Sequence, residues 1–169
     1  MRLKEAIDYI DQALQIPTVE WISFTGGEPF LFPDMLLNLV GYASQKGLRT
    51  ECVTNCFWAE TKEKTEKQLR DLVNAGLYVI NISIDDFHQQ YIPFEQVRNC
   101  YEASKRLGIK VVIMCTVSKS SHLRIKEVAR RLDDEGIQII GEEKIKSPVS
   151  ALAMETGFVP VGRATEIPK

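Results

Sequence analysis

Four glycines, Gly47, Gly76, Gly108 and Gly136, each close a helical stretch and lead into an apolar run, at separations of 29, 32 and 28 residues. A glycine just past a helix takes the left-handed conformation that stops it. A spacing of about 30 residues is the length of one βα unit. The runs Tyr78 to Ile84, Lys110 to Thr116 and, more briefly, Gln138 to Ile140 are rich in β-branched residues. Near-continuous apolar strands of this kind fit a parallel sheet covered by helices. The helices can be read between them. Leu3, Ala6, Ile7, Ile10 and Leu14 share one helical face, and Pro33-Asp34 opens a second helix with Leu36, Leu39, Val40 and Ala43 inward. Thr61 caps a third helix carrying Leu69, Leu72 and Val73; Phe94, Val97, Tyr101 and Ser104 line a fourth. Ser121 is the expected cap of a fifth, with Ile125, Val128, Ala129 and Leu132 buried.

Residues 142 to 157 break the rhythm. Glu142-Glu143-Lys144 is charged and Ser147-Pro148 signals a turn. A loop is expected here, with a short helix at Ala151 to Glu155 and a last strand from Phe158 to Val161. The 169 residues suit one domain, 1–169, with a sizeable core. Parallel βαβ units close into a barrel, stay open as a doubly wound sheet or form a partial barrel, and periodicity does not choose among them.

The residues for chemistry lie where strands end. After the apolar Val19, Trp21 and Ile22 comes Thr25-Gly26-Gly27-Glu28-Pro29-Phe30. Two glycines let the backbone turn sharply and let a ligand approach. Glu28 is expected to place a carboxylate at the mouth, suited to an ammonium group. Later strand ends carry Val53-Thr54-Asn55 and Ser83-Ile84-Asp85, and Pro160-Val161-Gly162-Arg163-Ala164 follows near the end.

This series resembles the radical S-adenosylmethionine (radical SAM) superfamily, whose GGEP motif matches Gly26-Gly27-Glu28-Pro29, over roughly residues 3 to 164. The resemblance implies an α/β fold, a partial TIM-type (β/α)6 barrel of parallel strands, here lacking its first strand. It implies that Gly26, Gly27, Glu28 and Pro29 line the methionine part of SAM. It also implies that Thr54, Asn55, Ser83 and Asp85 contact ribose and carboxylate groups, and that Arg163 pairs with a carboxylate near SAM. The family often has glycine after the Thr-Asn pair, where this chain has Cys56. The family's Cys-x-x-x-Cys-x-x-Cys loop, which holds a [4Fe–4S] cluster, belongs upstream of the first helix seen here. The sequence therefore reads as an N-terminally incomplete core, with an exposed barrel edge that a partner or a second copy would cover.

The four cysteines do not supply that loop. Cys52 and Cys56 are spaced Cys-x-x-x-Cys, but position 59 is Ala59; Cys100 and Cys115 sit in a helix and a strand. They read as small buried hydrophobes, with no metal ligand among them. His88, just past Asp85-Asp86-Phe87, is either a loop residue or an acid, base or substrate contact. His122 is expected to be exposed at a helix start.

Three readings follow. The first is part of a radical SAM enzyme, in which reductive cleavage of SAM at a [4Fe–4S] cluster starts radical chemistry on substrate; this chain alone would be inactive and bind SAM weakly. The second is a degenerate module that holds SAM or a partner without redox chemistry. The third is an unrelated open-sheet α/β protein with a structural glycine turn. The segment Asp86 to Pro93 resembles radical SAM proteins that act on peptides. A net charge of −2 gives no nucleic-acid signature, and no apolar run spans a bilayer. Free cysteines without a secretory signal point to the cytoplasm.

Overall fold

Strand and helix alternate along the chain as the glycine repeat requires. The computed structural model describes residues 1–142 and 148–157. These contain α1 (Leu3–Ala13), β1 (Trp21–Phe24), α2 (Pro33–Gln45), β2 (Arg49–Thr54), α3 (Lys62–Ala75) and β3 (Leu77–Ser83). There follow α4 (Phe94–Arg106), β4 (Lys110–Val117), α5 (Ile125–Leu132), β5 (Ile137–Ile139) and β6 (Ala151–Gly157). The six strands form one open sheet in the order β1-β2-β3-β4-β6-β5, every neighbouring pair parallel. This is the arrangement of a partial TIM-type barrel, with β1 and β5 as its two edges.

The alternation of side chains assigns the two faces. Cys52, Ile80, Ile82, Val111, Ile113, Ala151 and Ala153 face the helices and join Leu69, Leu72, Val97, Cys100, Val128 and Leu132 in the main core. A smaller cluster, Ala6, Ile10, Leu39, Ala43 and Leu48, seats α1 against α2. Leu3, expected inward, is exposed at the start of α1. The other face of the sheet carries Ser23, Glu51, Val53, Asn81, Ser83, Val112, Met114, Leu152 and Met154, and no described helix covers it. At its lower end the Arg49 guanidinium lies 5.5 Å from both the Trp21 and Tyr78 rings, and the Lys110 ammonium 5.4 Å from Tyr78. No helix among the described residues is long and apolar enough to cross a membrane.

Three local expectations are corrected. Ala151 to Glu155 is not helical but lies within β6, paired with β4 from Val111↔Ala151 to Val117↔Gly157. Ala, Leu, Met and Glu favour a helix locally, but pairing on both sides outweighs that preference. Ala151 and Ala153 are buried while Leu152 is 40% exposed, which is the period of a strand. The expected strand from Phe158 to Val161 lies outside the described residues. Ser121 does not cap α5: its hydroxyl accepts from the Ser118 N–H at 2.9 Å, and α5 begins at Ile125. The α5 start is held instead by Glu155 of β6, which accepts from Ile125 N at 3.0 Å and from the Arg124 guanidinium at 2.9 and 2.6 Å. Gly136 is not the left-handed residue after α5; Asp133 takes that conformation at φ +54°. Gly136 is needed for space, since a Cβ there would sit 2.7 Å from Ser150 Oγ.

Candidate functional site

Because the strands are parallel, their C-terminal ends lie along one edge, and the loops that follow them meet there. Gly26 and Gly27 follow β1, Thr54 ends β2 with Asn55 next, and Ser83 ends β3 with Asp85 two residues on. All the predicted cofactor residues come to this edge except Arg163, which lies outside the described residues with the rest of the Pro160 to Ala164 segment. A groove of about 350 Å³ between α2 and α3, lined by Leu36, Leu37, Lys64, Lys67 and Gln68, carries none of these residues.

Gly26 and Gly27 have φ of +87° and +54°, and nothing lies within 4 Å of where a Cβ would stand on either. The backbone thus turns in a conformation that favours glycine and leaves open space beside it. Pro29 starts a 3₁₀ turn, Pro29–Leu31. Glu28, expected at the mouth, instead turns inward and is 8% exposed. Its Oε1 accepts from Phe30 N at 3.2 Å and Thr54 Oγ1 at 2.9 Å, and its Oε2 accepts from Asn55 N at 2.8 Å. The Thr54 hydroxyl in turn accepts from Cys56 N at 3.1 Å and Trp58 Nε1 at 2.9 Å. The Phe30 and Trp58 rings stack at 4.0 Å with an 8° tilt. One carboxylate, one hydroxyl and one ring pair therefore bind the loop after β1 to the loop after β2.

The loop after β2 explains the position where the family often has glycine. Cys56 has φ +69°, the left-handed conformation that glycine enters freely. A side chain there costs about 1–2 kcal/mol. The Asn55 Oδ1 accepts from Phe57 N at 3.0 Å, and Ala59 N donates to the Cys56 carbonyl at 3.0 Å, so the turn is fixed on both sides. The backbone shape is kept while the side chain enters the core.

Asp85 is buried, and its Oδ1 accepts from Phe87 N at 3.0 Å and His88 N at 2.9 Å. Its Oδ2 lies 2.9 Å from His88 Nδ1. Burial pushes the Asp85 carboxyl up, but the His88 ring, the His88 amide and the Phe87 amide outweigh it and hold the group below its usual range. The carboxylate expected to accept from ribose thus caps its own loop and faces the imidazole, and the partly exposed His88 ring is the group presented at the edge. Ser83 is half-buried, with its hydroxyl free of protein partners among the described residues. Asp86 accepts from His122 N at 2.6 Å and Leu123 N at 3.0 Å, tying the loop after β3 to the loop after β4. His122 itself is exposed.

Cys52, Cys56, Cys100 and Cys115 are all reduced and fully buried on the helix-facing side. Burial drives the Cys52 and Cys56 thiols far above their usual range, and Cys115 is pushed up to about 12. All four are buried core thiols, whereas an iron–sulfur cluster needs accessible thiolates. Among the described residues no group of three or more His, Cys, Asp or Glu side chains is gathered to hold an ion. The described residues do not fit a cluster. The glycine turn and the open strand edge do fit a small polar cofactor.

Sequence reasoning missed Trp58, Asp86 and Glu155 as loop-binding groups, and Glu51 and Asn81 on the open face. Alternation within β2 and β3 could have shown the last two. The others act across loops distant in sequence, for which no local pattern exists.

The family assignment rests on more than geometry. The sequence model of the radical SAM superfamily matches residues 1–132, and the chain belongs to that superfamily. This removes the unrelated open-sheet reading. A putative peptide biosynthesis protein, YydG, of Bacillus subtilis (strain 168) is 26% identical over 136 residues, covering 78% of this chain. The chain spans 40% of that relative's length.

Proposed function

We propose that this chain forms the SAM-binding part of a radical SAM enzyme whose substrate is a peptide. The observation that carries the reading is the glycine turn: Gly26 and Gly27, both at positive φ, stand beside open space on the edge shared by Asn55, Ser83 and Asp85. A backbone stripped of Cβ atoms at the head of a parallel sheet suits close approach of a small charged ligand. SAM, when bound, supplies the family's radical chemistry. The chain's own groups do the rest. The turn carbonyls and amides at Gly26 and Gly27 receive the amino-acid end of the ligand, and Ser83 Oγ and the His88 ring are the polar groups left for its other end. The Glu28 and Asp85 carboxylates act behind them by fixing the loops. A [4Fe–4S] cluster, where it is bound, takes its cysteines from a segment outside these 169 residues. The peptide assignment draws on the YydG likeness and on the Asp86 to Pro93 segment. Free buried thiols suit a reducing, cytoplasmic setting.

The experiment is a titration of SAM into isotope-labelled chain, followed by backbone amide spectra. Shifts centred on Gly26, Gly27, Asn55 and Ser83 are expected, with weak affinity. Shifts confined to the α2–α3 groove, or none at 10 mM SAM (roughly ten times a weak millimolar dissociation constant), would sink the reading.

A further inference from the structure

We infer that Asn81 and Glu51 form a ligand-recognition site on the open face of the sheet, for a group bearing two or more N–H donors: a lysine-type ammonium or a primary carboxamide. The inference rests on the reading above, in that the open face is taken as the substrate's side.

Asn81 lies in the middle of β3, in register with Val53 on β2 and Val112 on β4. Its side chain is 8% exposed. Its Nδ2 donates to Glu51 Oε1 at 3.3 Å and lies 3.7 Å from Met114 Sδ. Its Oδ1 is buried with no partner. Glu51 sets that orientation, because turning the amide over would set two acceptors face to face. Among the described residues the bond from Asn81 is the polar contact of the Glu51 carboxylate, so three oxygen atoms here retain unused acceptor capacity.

The fold gains little from this arrangement. Asparagine is a poor strand former, and its neighbours in register are valines. A buried acceptor without a donor is a penalty that an apolar residue of the same size avoids. A polar group kept against stability marks a site where binding decides the residue. The surroundings are suited to an elongated guest. Asn81 sits two residues below Ser83, on the order of 7 Å down the strand, so a side chain entering from the C-terminal edge reaches it lengthwise. Met114 and Met154 line the way with unbranched chains that move aside readily. The cations Arg49 and Lys110 are engaged by the rings of Trp21 and Tyr78 at the far end.

Two measurements test this. Asn81→Leu is expected to be at least as resistant to urea as the parent, because an unsatisfied acceptor is removed. Clear destabilisation would show that Asn81 serves the fold and would overturn the inference. In chain labelled with 13C at methionine methyls, N-acetyl-lysine methylamide and N-acetyl-glutamine methylamide are titrated beside N-acetyl-glutamate methylamide. The Met114 methyl should move with the lysine or the glutamine probe and not with the glutamate probe, while Met35 on α2 stays fixed. Which probe acts identifies the donor. The response should weaken at least tenfold in Asn81→Leu, and Glu51→Gln should weaken a lysine response more than a glutamine response. No movement with either donor, or equal movement with glutamate, overturns the site. SAM added to the same sample reports separately on Gly26 and Gly27, so the loss of one response leaves the other to be judged alone.

Discussion

Replacing Glu28 should cost this chain more than replacing any exposed carboxylate. The Glu28 side chain accepts three hydrogen bonds, from Phe30 N, Thr54 Oγ1 and Asn55 N, at 3.2, 2.9 and 2.8 Å. Glu28→Ala leaves two backbone N–H groups without an acceptor, while the Thr54 hydroxyl can turn elsewhere. Each orphaned donor costs about 1–3 kcal/mol. Water entering the vacated space recovers part of that. A loss of about 3 kcal/mol results, or a melting temperature lower by roughly 6–12 °C for a chain of this size. Glu28→Gln keeps one oxygen and sets an amide N–H2 toward one of the former donors, so it should lose only about 1–2 kcal/mol. Thr54→Val combined with Glu28→Ala should lose less than the two single changes added together, because both act on one bond. Urea denaturation of the parent and the four variants (Glu28→Ala, Glu28→Gln, Thr54→Val and the double change) measures all of this. A Glu28→Ala protein within about 0.5 kcal/mol of the parent, the range of an ordinary surface change, would refute the claim that this carboxylate joins the two loops.

Asp85 predicts a pH dependence whose sign follows from its lowered pKa. A carboxyl held below its ordinary 3.8 stabilises the fold fully above that value, and the contribution is lost as pH falls through the lower folded pKa. The stability difference between parent and Asp85→Asn should therefore be about 1–2 kcal/mol at about pH 5 and shrink on acidification below about pH 4; a difference that grows toward acid, in urea titrations from that pH downward, would contradict the geometry. The cysteines predict silence: at pH 8 none of Cys52, Cys56, Cys100 or Cys115 should react with a thiol reagent in the native chain, because all four are buried thiols. All four should react after unfolding, and a fast-reacting native thiol would show that the core packing is wrong.

The elements legible in the sequence are those whose cause is local. Thr61 caps α3 with its hydroxyl on Lys64 N, and Gly76 closes that helix at φ +109°, both as side-chain and backbone chemistry dictate. Pro33 opens α2 for the same kind of reason. What the sequence did not show is non-local. β6 is built from helix-forming residues and becomes a strand because β4 and β5 offer it partners on both sides. The α5 start has no cap of its own, since Glu155 supplies one from β6. The glycine turn was legible as a turn because positive φ favours glycine; the direction of Glu28 was not, because two of the three donors it meets lie 26 and 27 residues away.

That last point alters how acidic residues at such an edge should be read. Glu28, Asp85 and Asp86 follow strands and Glu155 lies near the end of β6; of these, Glu28 and Asp85 read in the sequence as ligand contacts. In the structure each accepts from at least one backbone N–H of a loop or helix start: Asn55 for Glu28, Phe87 and His88 for Asp85, His122 and Leu123 for Asp86, Ile125 for Glu155. Parallel strands make this necessary. Every βα turn leaves amide donors at the C-terminal edge, and the helix that follows leaves more. A carboxylate is the strongest acceptor available to collect them. Those acids therefore set the shape of the edge, and in the function proposed above recognition falls to groups with spare capacity: the glycine backbone, Ser83, the His88 ring, and the Glu51–Asn81 pair below them.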